Sequence, residues 1–374
     1  MTESIQAFME WIEGYPEKHR ALSLQTPLVG YFCTYTPVEL IHASGFIPVR
    51  ILGESGPIQK AYTLAPSFIC PYMRRALEKA LEGRYDYLSG MVQGYTCDVA
   101  CGLTNIWEEN IRLGFYHTLP LPYNRNPEAR AFFRSIFSEL IQKLEAHGGR
   151  FSLEALSQSL KIYERVRGLL ADLYERRYQG RLMLSAKDLF SIVLAGFVAP
   201  PETYLQLLEA LVKEVQGQEV IKAARGFPIL ISGSLLDDPK TLEALEDLGM
   251  DVVADDLCTG LRSFYPPAGE GPGEKNDPLD RLTDRYLHRF PCPARQRARD
   301  RFPLLMDLVR HSGAGGVIFL LQKFCTPHLA DYPILSEAFN KEGLPHILLE
   351  IEDSGLTEAQ RTRLEAFLEI HGRG

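Results

Sequence analysis

Apolar residues in this chain gather into short runs, with amphipathic stretches between them. Residues 29–32 lead into Cys33, 88–96 into Cys97, 252–257 into Cys258 and 317–324 into Cys325. Runs of this kind read as buried strands of a parallel sheet, covered on both faces. Residues 4–24 predict an opening helix with Ile5, Phe8, Met9 and Ile12 on one face. Pro37 opens a helix through His42, residues 45–51 form another strand, and Pro71 starts a helix to about Leu81. Residues 127–215 read as mostly helical, with a break at Pro200-Pro201, where neither residue suits a helix interior. From 228 the pattern is β-α-β: strand 228–233, helix 239–248 capped by Asp238, strand 251–255. Residues 266–278 read as a loop, and strand 316–324, helix 332–342, strand 345–351 and a helix from Thr357 close the chain. The alternation predicts an α/β fold of two parallel-sheet domains, 1–195 with a helical extension and 196–374, joined through the helical middle.

Length agrees, since 374 residues exceed what one ordinary core holds. The net charge of −8 leaves no electrostatic footprint for nucleic acid. One basic cluster, at 289–301, holds Arg295, Arg297, Arg299 and Arg301. It reads as a solvated helix face, with an anion handle such as a coenzyme A phosphate as the alternative. The first ten residues carry acids and lack the layout of a signal peptide. No apolar run approaches the roughly 18 residues that span a bilayer. The expected location is the cytoplasm, where thiols stay reduced.

There, seven cysteines are metal ligands or buried thiols rather than disulfides. No C-x-x-C pair exists, so zinc ribbons, dithiol redox motifs and ferredoxin runs are excluded. Cys97 and Cys101 form the one close pair and share a face if their segment is helical. Cys33, Cys70, Cys258, Cys292 and Cys325 stand at element junctions, beside Thr, Gly or Pro. α/β folds bind ligands beyond the carboxyl ends of their strands. Thiols placed there by both halves predict one thiolate-rich centre at the domain interface, suited to an iron–sulfur cluster. Ordinary buried thiols are the competing reading.

Several tracts resemble the family of 2-hydroxyacyl-CoA dehydratase and benzoyl-CoA reductase subunits. They are Gly30-Tyr31-Phe32-Cys33-Thr34-Tyr35-Thr36-Pro37, the following Val38-Glu39-Leu40-Ile41-His42, Gly45-Phe46-Ile47-Pro48-Val49-Arg50 and Cys70-Pro71. Thr96-Cys97-Asp98, Asp255-Asp256-Leu257-Cys258-Thr259-Gly260, residues 319–328 around Cys325, and 348–352 with 362–367 continue the series. The resemblance implies two Rossmann-like (flavodoxin-like) domains around a low-potential iron–sulfur centre. It also implies an ATP-hydrolysing iron–sulfur activator that delivers single electrons. The positions matching the three ligands of a single 4Fe–4S cluster are Cys70, Cys97 and Cys325. Cys33, Cys258 and Cys292 match further cysteines of the double-cubane cluster branch, in which six thiolates hold two sulfide-bridged cubanes (8Fe–9S). That branch implies a homodimeric reductase of small molecules. A single cluster implies a subunit of an acyl-CoA dehydratase or aryl-CoA reductase, paired with a similar subunit.

Other candidates surround these cysteines. His42, His328 and Lys323 are candidate catalytic groups, two as proton donors and one as a positive charge; Thr34 and Asp98 are candidate neighbours of the centre. Each has a plainer reading, His42 as a helix-packing histidine and Lys323 as a charge before a loop. Glu39 is expected to pair on a helix surface. Gly233-Ser234 resembles a phosphate-cradling turn, yet no G-x-G-x-x-G or Walker pattern is present. Its absence fits ATP use by a separate activator.

Overall fold

Each half of the chain builds a four-stranded parallel sheet, and the two sheets have the same strand order. In this computed structural model residues 3–216, 226–266, 277–353 and 355–372 are described. The first sheet comprises β1 (Leu28–Tyr31), β2 (Ile47–Arg50), β3 (Leu88–Gly94) and β4 (Tyr116–Leu119), ordered β2-β1-β3-β4. The second comprises β5 (Phe227–Gly233), β6 (Met250–Asp256), β7 (Gly316–Gln322) and β8 (His346–Ile351), ordered β6-β5-β7-β8. This is the doubly wound, Rossmann-like arrangement. Strand order reverses between β1 and β3 and between β5 and β7, where such folds open a ligand crevice. Every residue of β1 and β7 is buried, as parallel strands with helices on both faces require.

The middle forms four helices: Pro127–Glu145, Leu153–Tyr178, Ala186–Ala195 and Pro201–Gln216. Asn126, Ser152 and Ser185 cap the first three by accepting from an amide three residues on. Pro201 is the first residue of its helix, where a missing N–H costs nothing. The halves interlock. Ile5 and Phe8 of the opening helix Glu3–Ser23 share a core with the second sheet, while helix Pro278–Leu287 packs Leu279, Leu282 and Tyr286 on the first.

Several expectations need correction. The helix expected at 332–342 begins at Thr326, directly after Cys325, with Pro327 in its first turn. β4 and the helix Ala298–Ser312 had no counterpart in the apolar pattern. The helix after β5 runs Lys240–Asp247, and Asp238 accepts from the Lys240 amide at 2.9 Å. The loop expected at 266–278 falls mostly outside the described residues, and Pro278 already belongs to a helix. Gly233 is glycine for steric reasons, because a Cβ there would meet the Leu320 carbonyl oxygen at 2.1 Å. Ser234 Oγ accepts from the Gln322 amide, so this turn is spent joining β5 to β7.

His19 anchors the opening helix from a fully buried position. Its Nε2 donates to the Val198 carbonyl oxygen at 2.6 Å, and Nδ1 accepts from the Tyr87 hydroxyl at 3.1 Å. Burial pulls its pKa from 6.5 to about 4, against the opposing effect of the Val198 carbonyl. The unfolded chain takes up this proton near pH 6.5 and the folded chain only near 4. Stability is therefore complete above the unfolded value and falls as pH drops through that window, by roughly 3 kcal/mol in all. Denaturant unfolding of wild type and His19→Gln is expected to show the variant less stable near neutrality, with the difference narrowing as pH falls toward about 5.

Candidate functional site

Three of the cysteines cap helices. Cys70, Cys97 and Cys325 are the N-caps of Pro71–Leu81, Asp98–Asn110 and Thr326–Lys341. Each thiolate would lie at the positive end of its helix. The amides of Met73, Ala100 and His328, each three residues on, favour the respective thiolates. Phe324, just before Cys325, holds φ at +63°, a left-handed conformation costing an ordinary residue about 1–2 kcal/mol. That strained turn aims Cys325 away from the line of β7.

The other three lie in loops. Cys33 follows β1 and accepts from the Tyr35 amide at 3.4 Å. Cys258 follows β6; its amide donates to the Ser234 carbonyl oxygen at 2.9 Å, and its sulfur accepts from Arg262 Nη1 at 3.4 Å. Cys292 sits between two prolines, its amide donating to Gln296 Oε1 at 3.0 Å.

Hydrogen bonds tie these cysteine-bearing segments to one another and across the two halves of the chain. Gln322, at the end of β7, accepts from the Tyr72 amide at 3.3 Å, tying the Cys325 loop to the helix of Cys70. Arg50, at the end of β2, donates to the Cys258 carbonyl oxygen at 2.9 Å. The Tyr35 hydroxyl reaches Gln296 Oε1 at 3.4 Å, joining the Cys33 and Cys292 loops. Arg295 donates to the carbonyl oxygens of Tyr95 and Leu121 beside Cys97.

Burial pushes the thiols of Cys33, Cys70, Cys97, Cys292 and Cys325 up, Cys97 and Cys292 to about 12. Their mutual charges add to that effect. Cys97 is raised further by Cys70 and Cys33, and Cys325 by Cys70, Cys97 and Cys292. Cys292 is raised by Cys258 and Cys33, and Cys33 by Cys258. By position in the fold the six form two poles, Cys70/Cys97/Cys325 at helix N-caps and Cys33/Cys258/Cys292 in loops, and Cys33 and Cys292 also act across on Cys97 and Cys325. Cys101 lies one turn into the helix that Cys97 caps; its thiol is pushed up by burial and then by Asp98.

Arginines balance this anionic potential. Arg262 is buried, which opposes its charge, but Asp256 and the Cys258 sulfur outweigh that and hold its pKa above the ordinary value. Asp256, wholly buried, accepts from Arg262, from Arg301 at 2.7 Å and from Ser232 Oγ at 2.8 Å. Residue-by-residue reading gave no site role to Arg50, Arg262 or Gln322; the signal was a polar residue ending or closely following an apolar run. The basic cluster is not a uniform solvated face: Arg289, Arg295 and Arg301 are buried, while Arg297 and Arg299 are exposed.

The remaining candidates separate. His328 is buried in the first turn after Cys325; burial, then Arg262 and Arg301, pull its pKa well below 6.5. His42 instead faces the middle helices, 3.0 Å from both Ser159 Oγ and Glu202 Oε1. Lys323 is exposed and paired with Glu352. Asp98 is exposed at its helix start, and Thr34 is half-buried beside Cys33. Glu39 is not on a surface. It is wholly buried, where Arg167, Arg285 and the Tyr286 hydroxyl outweigh desolvation and hold its carboxyl below the ordinary value.

The donor set fits an iron–sulfur group. All seven thiols are free of disulfides. Among the described residues no three His, Cys, Asp or Glu side chains converge tightly enough for a single metal ion. A cubane asks for a wider spread, because each thiolate binds a different iron. Thiols that burial keeps protonated are deprotonated outright by a bound metal.

Comparisons with known proteins identify the family. The family model described as 2-hydroxyglutaryl-CoA dehydratase, D-component, matches residues 33–371. The (R)-phenyllactyl-CoA dehydratase beta subunit of Clostridium sporogenes is 29% identical over 349 residues, 91% of each chain. The lactoyl-CoA dehydratase subunit beta of Anaerotignum propionicum is 27% identical over 348 residues, again 91% of each. A benzoyl-CoA reductase subunit of Thauera aromatica is 27% identical over 374 residues, 96% of this chain and 93% of that one. From Cys33 to its last helix, this chain belongs to the 2-hydroxyglutaryl-CoA dehydratase D-component family.

Proposed function

We propose that this protein is an iron–sulfur oxidoreductase whose six crevice cysteines hold a double-cubane cluster, reducing small molecules with electrons from an ATP-hydrolysing activator. The observation that carries the proposal is the placement of six cysteines by both halves of the chain, three at helix N-caps and three in loops, with hydrogen bonds joining Tyr72 to Gln322, Arg50 to the Cys258 carbonyl oxygen and Tyr35 to Gln296. Each pole offers three thiolates, the complement of one cubane with one position left to a bridge or substrate. Such a centre, when bound, supplies single low-potential electrons. The chain's own part is to position it: helix N-termini and Arg262 stabilise negative charge. His328, beside Cys325, is the better placed of the candidate proton donors.

A second reading is a single-cluster subunit of an acyl-CoA dehydratase or reductase, held by Cys70, Cys97 and Cys325. It is favoured by the similar proteins, which are themselves dehydratase or reductase subunits. In that case a similar subunit completes the enzyme, whereas the first reading pairs two copies of this chain. The free thiols suit a reducing compartment such as the cytoplasm. No helix among the described residues is long and apolar enough to cross a membrane.

Iron and acid-labile sulfide, measured per chain on anaerobically purified protein, separate the readings. About eight irons are expected for the double cubane; about four would return the chain to the single-cluster subunits.

A further inference from the structure

Beneath the loops of Cys33 and Cys258 lies a cavity of about 80 Å³. It is lined by the polar side chains of Arg50, Arg167, Arg289 and Thr36 and by the apolar ones of Val166, Leu170, Val193 and Phe197, with the Arg50 guanidinium over the Phe197 ring at 4.6 Å. The polar lining carries more positive charge than the one lining carboxylate neutralises. Arg50 and Arg167 are 1% and 5% exposed, and Arg285 stands 3.9 Å from Glu39 behind them. Glu39 is the one carboxylate lining the cavity; it is paired with Arg167 at 2.6 Å. Glu202, the next nearest acid among the described residues, is engaged by His42. The lining tyrosines Tyr31, Tyr163 and Tyr286 are driven further toward the neutral form by burial.

Several donors here are left over. Among the described residues, Arg50 Nε, Arg167 Nε and Nη2, Arg285 Nε and the Thr36 hydroxyl are buried without a hydrogen-bond partner. Each of these guanidiniums has a partner already, but buried N–H groups left without an acceptor cost free energy, so the leftover donors mark a place for an anion. Planar guanidinium forks match carboxylates. The apolar lining adds a shape requirement, and an apolar cavity of roughly 150 Å³ takes up benzene, so this smaller one suits a two- or three-carbon tail.

We propose that this cavity binds a short-chain carboxylate, its head on Arg50, Arg167 and Thr36 and its tail against Val166, Leu170 and Val193. The site does not rest on the cluster assignment, because none of its donors is a cysteine. It lies close enough to matter to that centre: Arg50 holds the Cys258 loop through its carbonyl oxygen, and Thr34, next to Cys33, also lines the cavity.

The test is calorimetric titration of anaerobically purified protein with propionate, propionamide and inorganic phosphate, before and after iron removal. Saturable propionate binding at one per chain is expected in both states, with no binding of the neutral amide and weaker binding of phosphate. Thr36→Val removes a hydroxyl that has no protein partner, so the fold is expected to persist while propionate affinity falls about tenfold or more. Val193→Leu crowds the apolar lining and is expected to abolish binding of propionate. The proposal is overturned by absence of saturation, by equal binding of the amide, by tighter binding of phosphate, or by variants that bind as wild type. Binding confined to the iron-loaded state would also overturn it, placing the propionate at the metal instead.

Discussion

Replacing Cys325 with alanine is expected to remove about half the iron of anaerobically purified protein, from about eight atoms per chain to about four, and to end reductive turnover. Cys325 shares its pole with Cys70 and Cys97, and the fields of those two raise its thiol after burial does. Loss of one of three thiolates leaves that cubane without its complement, while Cys33, Cys258 and Cys292 keep theirs. Cys33→Ala is the complementary case, expected to leave about four irons held by the helix-capping pole. Cys101→Ala is the control, since Cys101 lies one turn inside the helix rather than at its cap or in a loop, and iron content should be unchanged. Under the single-cluster reading the outcome differs: Cys325→Ala would strip nearly all iron and Cys33→Ala almost none. Total loss from both variants would mean that the two poles are not separable units.

Most strands, and the places of Cys33, Cys97, Cys258 and Cys325 just after them, were legible because they follow from continuous apolar runs, which a doubly covered parallel sheet demands. β4 was not, because Tyr116–Leu119 is a half-buried edge strand carrying His117 and Thr118. The helix expected at 332–342 starts six residues earlier, at Thr326, with Pro327 in its first turn, where a proline is tolerated. Charge was the larger obstacle. Glu39, Arg289, Arg295 and Arg301 are buried, and nothing in a local window distinguishes a buried arginine from a solvated one. Their partners come from distant segments, as when Arg301 meets Asp256 across 45 positions. Closeness in sequence misled in the opposite direction for His42, which the short helix Val38–Ala43 turns toward Ser159 and Glu202. The matching strand orders of the two halves were also hidden, because different loop lengths erase any fixed sequence period.

Asp256→Asn is expected to be among the most destabilising single changes outside the cysteines, by about 3–5 kcal/mol. The substitution keeps the shape and removes the charge. Asp256 is wholly buried and faces two guanidiniums, Arg262 and Arg301, whose side chains are 3% and 1% exposed. Arg301 retains Asp331, but Arg262 is left with uncharged partners, the Gly233 carbonyl oxygen at 2.9 Å and the Phe290 ring, beside the Cys258 sulfur. Anaerobic denaturant unfolding reads the effect. Arg310→Ala, which breaks a pair with Asp307 at side-chain exposures of 63% and 65%, should change little. Adding Arg301→Met to Asp256→Asn should cost less than the sum of the two single changes, because one stranded cation is then gone. The same network positions Arg262 against Cys258, so Asp256→Asn should also disturb the loop-borne pole before the helix-capping one. Under partial chelation its first irons should leave from Cys33, Cys258 and Cys292. Iron loss with the same profile as wild type would mean that Arg262 holds its place without Asp256, and that the buried network serves the fold alone.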